Sequence, residues 1–189
     1  EPPQKNCPDH VEINPDFDMA IPLEIAKSFG MHCVGMAISH SNSDPKHPVT
    51  EYMVKLAAKY QNEFTEYFTT IVITPTMQNG VASVELQGFQ VNDAAMKIDK
   101  EGLFDQSDDP SFMKFKEPVK FQSREHSKLD VNLALCAVRI REAKSHFPSN
   151  AFPSPSALPS VVDVKKYFND NQYCQTWYQL FDFNLLVYL

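Results

Sequence analysis

No apolar run in this chain approaches the ~18–20 residues that a membrane-spanning helix needs, and the most apolar stretch, near the C-terminus, is interrupted by Asp182 and Asn184. The sequence therefore reads as that of a soluble protein. It has no P-loop, no dinucleotide fingerprint and no G-x-S-x-G elbow, so nucleotide-dependent and hydrolase chemistry lack positive support. It also lacks a basic patch: 17 Lys and Arg against 24 Asp and Glu give a formal charge of -7, which opposes nucleic acid and anionic membrane surfaces. No C-x-x-C pair is present, which disfavours a zinc knuckle or a thioredoxin-type redox motif. There is no N-x-S/T sequon either.

The cysteines that are present, Cys7, Cys33, Cys136 and Cys174, make an even count. Together with an opening Glu1-Pro2-Pro3 that lacks an initiator Met, as in a mature chain after signal removal or an excised fragment, they give the expectation of a secreted, extracellular protein with two disulfides. Of the three connectivities, Cys7–Cys33 and Cys136–Cys174 close the shorter loops. A chain of 189 residues with 43% hydrophobic content, rich in Phe and Tyr, is long enough for one substantial core and fits a single domain over 1–189.

The best-specified stretch runs from Pro48 to Val91. Met53, Leu56, Ala57, Tyr60, Phe64, Tyr67 and Phe68 recur at steps of three and four, which predicts an amphipathic helix over 51–68. Thr50 caps it, Val49 and Val54 form a hydrophobic staple, and Glu51 with Lys55 makes a favourably oriented pair. From Thr69 the residues are mostly β-branched and predict a strand that stops at Pro75. Asn79-Gly80 then supplies a tight turn into a strand starting at Val81. In that strand Ala82, Val84 and Leu86 fall on one parity and Phe89 and Val91 on the other, which suggests a bulge at Gly88.

Residues 1–16 read as an extended arm, Pro22–Phe29 as a short helix ended by Gly30, and Met31–Ser39 as a buried strand. Asp93 to Lys116 is acidic and reads as an irregular excursion. Leu129, Val131, Leu133, Leu135 and Ala137 share one parity of a strand, with a second bulge after Cys136. Pro-Ser dipeptides make 143–160 a loop, Ser160 and Asp163 cap a short helix through Phe168, and alternation from Trp177 to Leu189 predicts a closing strand. The sum is an α+β fold: about five or six antiparallel strands packed on one long helix, with two short helices. A parallel βαβ arrangement is disfavoured, because strand and helix do not alternate after Thr74.

For function, these features favour a secreted, non-enzymatic binding protein without a cofactor. Its partner is either a protein held by the long loops or a small apolar ligand, lying between Met53, Tyr60 and Phe64 and a sheet face bearing Trp177. The alternative is a hydrolase-like enzyme whose residues, such as His40, Asp44 and His126, meet only in the fold. His40, Asp44 and His47 are weak metal candidates, since imidazole and carboxylate suit zinc or copper, but a solvated loop explains them as well. His32 beside Cys33 reads as structural rather than catalytic, and the acidic stretch lacks the order of a calcium loop.

Overall fold

The computed structural model describes residues 4–6, 11–13, 19–39, 47–78, 80–121, 123–141, 151–153, 157, 159–180 and 182–189. In chain order the elements are β1 (Gln4–Asn6), β2 (Val11–Ile13), α1 (Ala20–Ser28), β3 (Gly35–Ser39), α2 (Glu51–Glu63), β4 (Thr69–Gln78), β5 (Val81–Val91) and α3 (Asp93–Lys100). They continue with β6 (Phe104–Asp105), β7 (Phe112–Phe121), β8 (Arg124–Asp130), a 3-10 turn (Val131–Ala134), β9 (Leu135–Val138), α4 (Val161–Asp170), α5 (Thr176–Gln179) and α6 (Phe183–Tyr188). The fold is α+β with mostly antiparallel sheets. Two compact units divide it: Cys33–Arg141, and a second made of Glu1–His32 with Glu142–Leu189.

The unit Cys33–Arg141 is organised by α2. Thr50 accepts a hydrogen bond from the Met53 amide at 3.4 Å, and Val49 and Val54 are both buried at its start, so the predicted cap and staple form. Lys55 pairs with Glu51 one turn away and donates to the Asp105 carbonyl, which ties the helix to β6. The helix ends at Glu63, short of the predicted Phe68. A turn from Thr65 to Phe68 closes instead, with the Phe68 amide on the Thr65 carbonyl, and Phe64 and Phe68 stack at 5.5 Å. Aromatic residues thus continue the helical spacing after the helix has stopped.

β3 and β4 are parallel, in register from Gly35 with Thr69 to Ser39 with Ile73, and α2 is the crossover between them. The expectation of a purely antiparallel sheet fails at this one βαβ unit. The four-stranded sheet has the order β3-β4-β5-β9, and its remaining pairs are antiparallel. β4 does not stop at Pro75; that residue lies beyond the end of β3, where the missing donor breaks no described β3 ladder bond. Gly80, at φ 78°, turns the chain so that Gln78 faces Val81. The register then runs unbroken from Gln78–Val81 to Thr70–Phe89, so Gly88 is no bulge.

The acidic stretch after Val91 is ordered. Asn92 accepts from the Ala95 amide and starts α3, whose end is a left-handed Gly102 with Leu103 bonding back to Ile98 at 3.1 Å and Gly102 to Asp99 at 2.9 Å. Ala95 and Ile98 face the core, Asp93, Lys97 and Lys100 face water, and half-buried Asp99 accepts from the Asn62 side chain at 2.8 Å. The long strand expected through Leu129 to Ala137 is also divided. Asp130 accepts from the Asn132 amide, a 3-10 turn follows, and the chain leaves the sheet β6-β7-β8 to join the other sheet as β9. One core runs under both sheets: Met53, Val54 and Ala57 from α2, Val72, Phe89 and Val91 from the four-stranded sheet, and Met113, Leu129 and Val131 from the other. Burying each such Val, Leu or Met contributes about 1.5–3 kcal/mol before entropy is counted.

In the other unit β1 and β2 pair as an antiparallel hairpin inside the expected arm, and α1 ends at a left-handed Gly30. Ser160 and Asp163 form the expected cap of α4, with the Ser160 amide on the carboxylate at 2.7 Å. The closing strand does not form. Asp182 caps α6 by accepting from the Asn184 and Leu185 amides, and α5 and α6 occupy that stretch. Phe152, from the Pro-Ser segment, packs edge-on against Tyr167 at 5.8 Å over Leu185, and its amide donates to buried Asp182 at 3.0 Å.

Candidate functional site

The four-stranded sheet has one covered face and one open face, and both are apolar. Residues opposite one another in an antiparallel pair share a face. Thr70, Val72, Phe89 and Val91 point to the α2 side and are buried. On the other side Ile73 stands opposite Leu86, Pro75 opposite Val84 and Met77 opposite Ala82. Of these, Met77 is 72% exposed, Val84 62% and Leu86 51%. Across the distal ribbon the α2-side face is polar: Thr76 and Ser83 share a hydrogen bond at 2.6 Å, and Gln87 donates to Glu85 at 2.9 Å. The hairpin therefore presents an apolar strip to solvent, carried on an unbroken antiparallel ladder. The strip is made of aliphatic, Pro and Met side chains.

Val34 and Tyr67, at the β3–β4 end of this unit, are also exposed. The Tyr67 phenol is pushed above its usual value, first by a hydrogen bond to Glu66. Gly88 marks the limit of the open strip, since a Cβ there would stand 3.0 Å from the Val138 carbonyl and 3.2 Å from Ile140.

The residues singled out from sequence fare differently. Met53 is part of the core. Tyr60 packs against Phe64 and Phe68, at 5.8 and 5.6 Å between ring centroids, and burial pushes its phenol up, with Glu63 adding to the effect. Trp177 belongs to α5 in the other unit, in a helix rather than on a sheet face. His47 does not approach a metal set but pairs with Asp130 at 3.3 Å, while His40 and Asp44 lie outside the described residues. Among the described residues no three His, Cys, Asp or Glu side chains are placed to hold a metal ion. His126 sits on β8, so the hydrolase grouping has no described convergence behind it. What sequence reading missed is the open strip itself. The signal was available: folding the chain at Asn79-Gly80 pairs apolar with apolar at 73/86, 75/84 and 77/82.

Both proposed disulfides are overturned. Cys33, Cys136 and Cys174 are free thiols, the last two exposed, and Cys7 lies outside the described residues. An even count was no more than that. Among the described residues no helix is long and apolar enough to cross a membrane.

No family model matches the chain. It is similar, at 29% identity over 197 aligned positions, to the Nuclear protein localization protein 4 homolog of Dictyostelium discoideum, covering all of this chain and 33% of that protein. It is similar at 25% identity to NPL4-like protein 2 of Arabidopsis thaliana, covering all of this chain and 48% of that protein. The NPL4-like protein of Oryza sativa subsp. japonica is 26% identical over 88% of this chain and 45% of its own length. These likenesses, with the free thiols, overturn the secreted, extracellular and disulfide-supported reading: the Dictyostelium relative is named for nuclear protein localization, and Cys33, Cys136 and Cys174 are unbridged. The chain spans between a third and a half of the length of these relatives, and what it is similar to is that part of an NPL4-like protein.

Proposed function

We propose that this chain is the protein-binding part of an NPL4-like protein, working inside the cell, and that it engages its partner through the open apolar face of the β4–β5 hairpin. The observation that carries the proposal is the pairing of Ile73, Pro75 and Met77 with Leu86, Val84 and Ala82 on one solvent-facing side. Exposed apolar surface of this extent, rimmed by polar residues, marks interaction sites more often than accident. The likeness to NPL4-like proteins of three organisms supports the assignment of the whole segment. Free, exposed Cys136 and Cys174 suit a reducing compartment.

A chimera tests it. The Dictyostelium protein, with its matched region replaced by this chain, should restore the phenotype lost on deleting the original. The same chimera carrying Met77→Glu and Val84→Glu should fail while its melting temperature stays unchanged. Full restoration by the charged variant would remove the hairpin face from the function, and failure of the parent chimera would remove the assignment to NPL4-like proteins.

A further inference from the structure

A second surface lies on the three-stranded sheet, away from the hairpin face. β8 ends the order β6-β7-β8, and among the described residues no strand pairs with its outer edge. Along most of its length β8 is exposed. Residues 115–118 of β7 stand against Ser127 alone, which interrupts the ladder between the Lys114–Lys128 and Val119–His126 pairs. Pro118 sits within that interruption, where its missing amide breaks no ladder bond. An irregularity of this kind bends the strand and re-aims its side chains. Beside it opens a hollow of about 320 Å³ lined by Phe121, Arg124, His126, Leu129 and Leu133. That is the low end of ligand-pocket sizes, which run from roughly 300 Å³, and is ample for one large side chain.

Charge decides what enters. Arg124 has no carboxylate partner among the described residues, and Lys128, further along the same parity of the strand, holds its ammonium 5.0 Å from the Phe112 ring centroid. Glu125 lies on the other parity, opposite Lys120. β8 also carries Glu125 and Asp130, the latter paired with His47, so among the described residues the cations left without a carboxylate partner on this strand are Arg124 and Lys128, and an acidic strand is the occupant that they favour. Its main chain would bond to the edge while alternate side chains supply specificity, as in strand addition generally.

We propose that the outer edge of β8 receives an extended acidic segment of a partner protein as an added strand, with one apolar side chain entering the hollow between Phe121, Leu129 and Leu133 and a neighbouring carboxylate facing Arg124. The imidazole of His126 contributes an N–H donor at the rim. This proposal stands apart from the hairpin face, and its test separates the two.

The probe is a pool of short fluorescein-labelled peptides with Glu or Asp at alternate positions and a varied apolar residue at the centre. A matched pool with Lys in place of the acids serves as its counterpart. The acidic pool should bind the full chain saturably by fluorescence anisotropy and the lysine pool should not. Arg124→Glu should weaken the acidic pool at least about tenfold, as loss of a charge-assisted hydrogen bond requires, and admit the lysine pool. Methylating alternate backbone amides of the best peptide should abolish binding, whereas Met77→Glu with Val84→Glu on the hairpin face should not affect it. Equal binding of both pools, no binding of either, or retained binding by the methylated peptide would overturn the proposal. Full displacement by free 4-methylpentanoate at the concentration of competing unlabelled peptide would overturn it too, by showing a small-carboxylate pocket instead of a strand site.

Discussion

The two faces of the four-stranded sheet are built from the same kinds of residue and end in opposite surroundings. Val72, Phe89 and Val91 are sealed against α2, whereas Met77, Val84 and Leu86 stand in water. The difference follows from position along the hairpin rather than from chemistry. Near its base the hairpin has β3, β9 and the helix as neighbours; toward its tip the described neighbours are only the two strands themselves. An isolated two-stranded ribbon is marginal in water, so the exposed strip adds little to the stability of this chain, in keeping with the proposed docking role.

The contrast is open to direct attack. Phe89→Ala on the covered face should cost about 3–5 kcal/mol, read as a lowered midpoint in urea, because the vacated volume cannot collapse. Gln61→Ala should cost about 2 kcal/mol: its amide accepts from the Val91 N–H at 2.6 Å and donates to the Val91 carbonyl at 3.1 Å, and both groups would be left buried and unpaired. At the border of the open strip Gly88→Ala should cost about 1–2 kcal/mol, since its Cβ would press on the Val138 carbonyl at 3.0 Å. On the open face itself Leu86→Ser should shift stability by no more than about 0.5 kcal/mol while weakening partner binding. A loss at Leu86 as large as that at Phe89 would mean that the two faces are not different after all.

The smallest effect belongs to the other unit and serves as a control for the two faces. Hydrogen bonds from Ser160, first its hydroxyl and then its amide, hold the exposed Asp163 carboxyl below its ordinary 3.8. A group whose pKa is lowered by folding supports the fold above its unfolded value, and that support disappears as pH falls through the lower, folded value. Acid titration followed by NMR should therefore show the Ser160 amide signal moving at a pH below 3.8. Asp163→Asn should abolish that movement without touching the resonances of the sheet.

Much of this was legible in the sequence. Thr50 and Val49 fixed the start of α2, Asn79-Gly80 the hairpin, Gly30 the end of α1, and Ser160 with Asp163 the start of α4. The errors share a cause: a parity or period describes side chains, not what lies over them. The slip in parity at Gly88 implies a bulge only where one face is buried throughout; the strand is regular and apolar on opposite sides at its two ends. The slip past Leu129 was a change of sheet through a 3-10 turn. Between Asp93 and Lys116 the acidic residues drew attention from Asn92 and Gly102, which mark both ends of α3. Near the C-terminus, Asp182 looked like the polar partner in a strand but begins a helix. At the candidate site the apolar residues were visible and their exposure was not, because exposure depends on where β3 and β9 end.

A strand that is apolar on both sides has lost the usual guard against pairing one step out of place, since a slip of one residue would still find oily neighbours. Gln61 supplies the missing guard from outside the sheet. Its side chain imitates a strand, offering one acceptor and one donor to the backbone of Val91 and no other residue of β5. A misaligned β5 could keep its rungs with β4, but it would leave this amide without its mate and move Asn92 off the start of α3. The helix thus proofreads the hairpin, and it does so at the base, so that the register of the tip does not depend on what its own side chains touch.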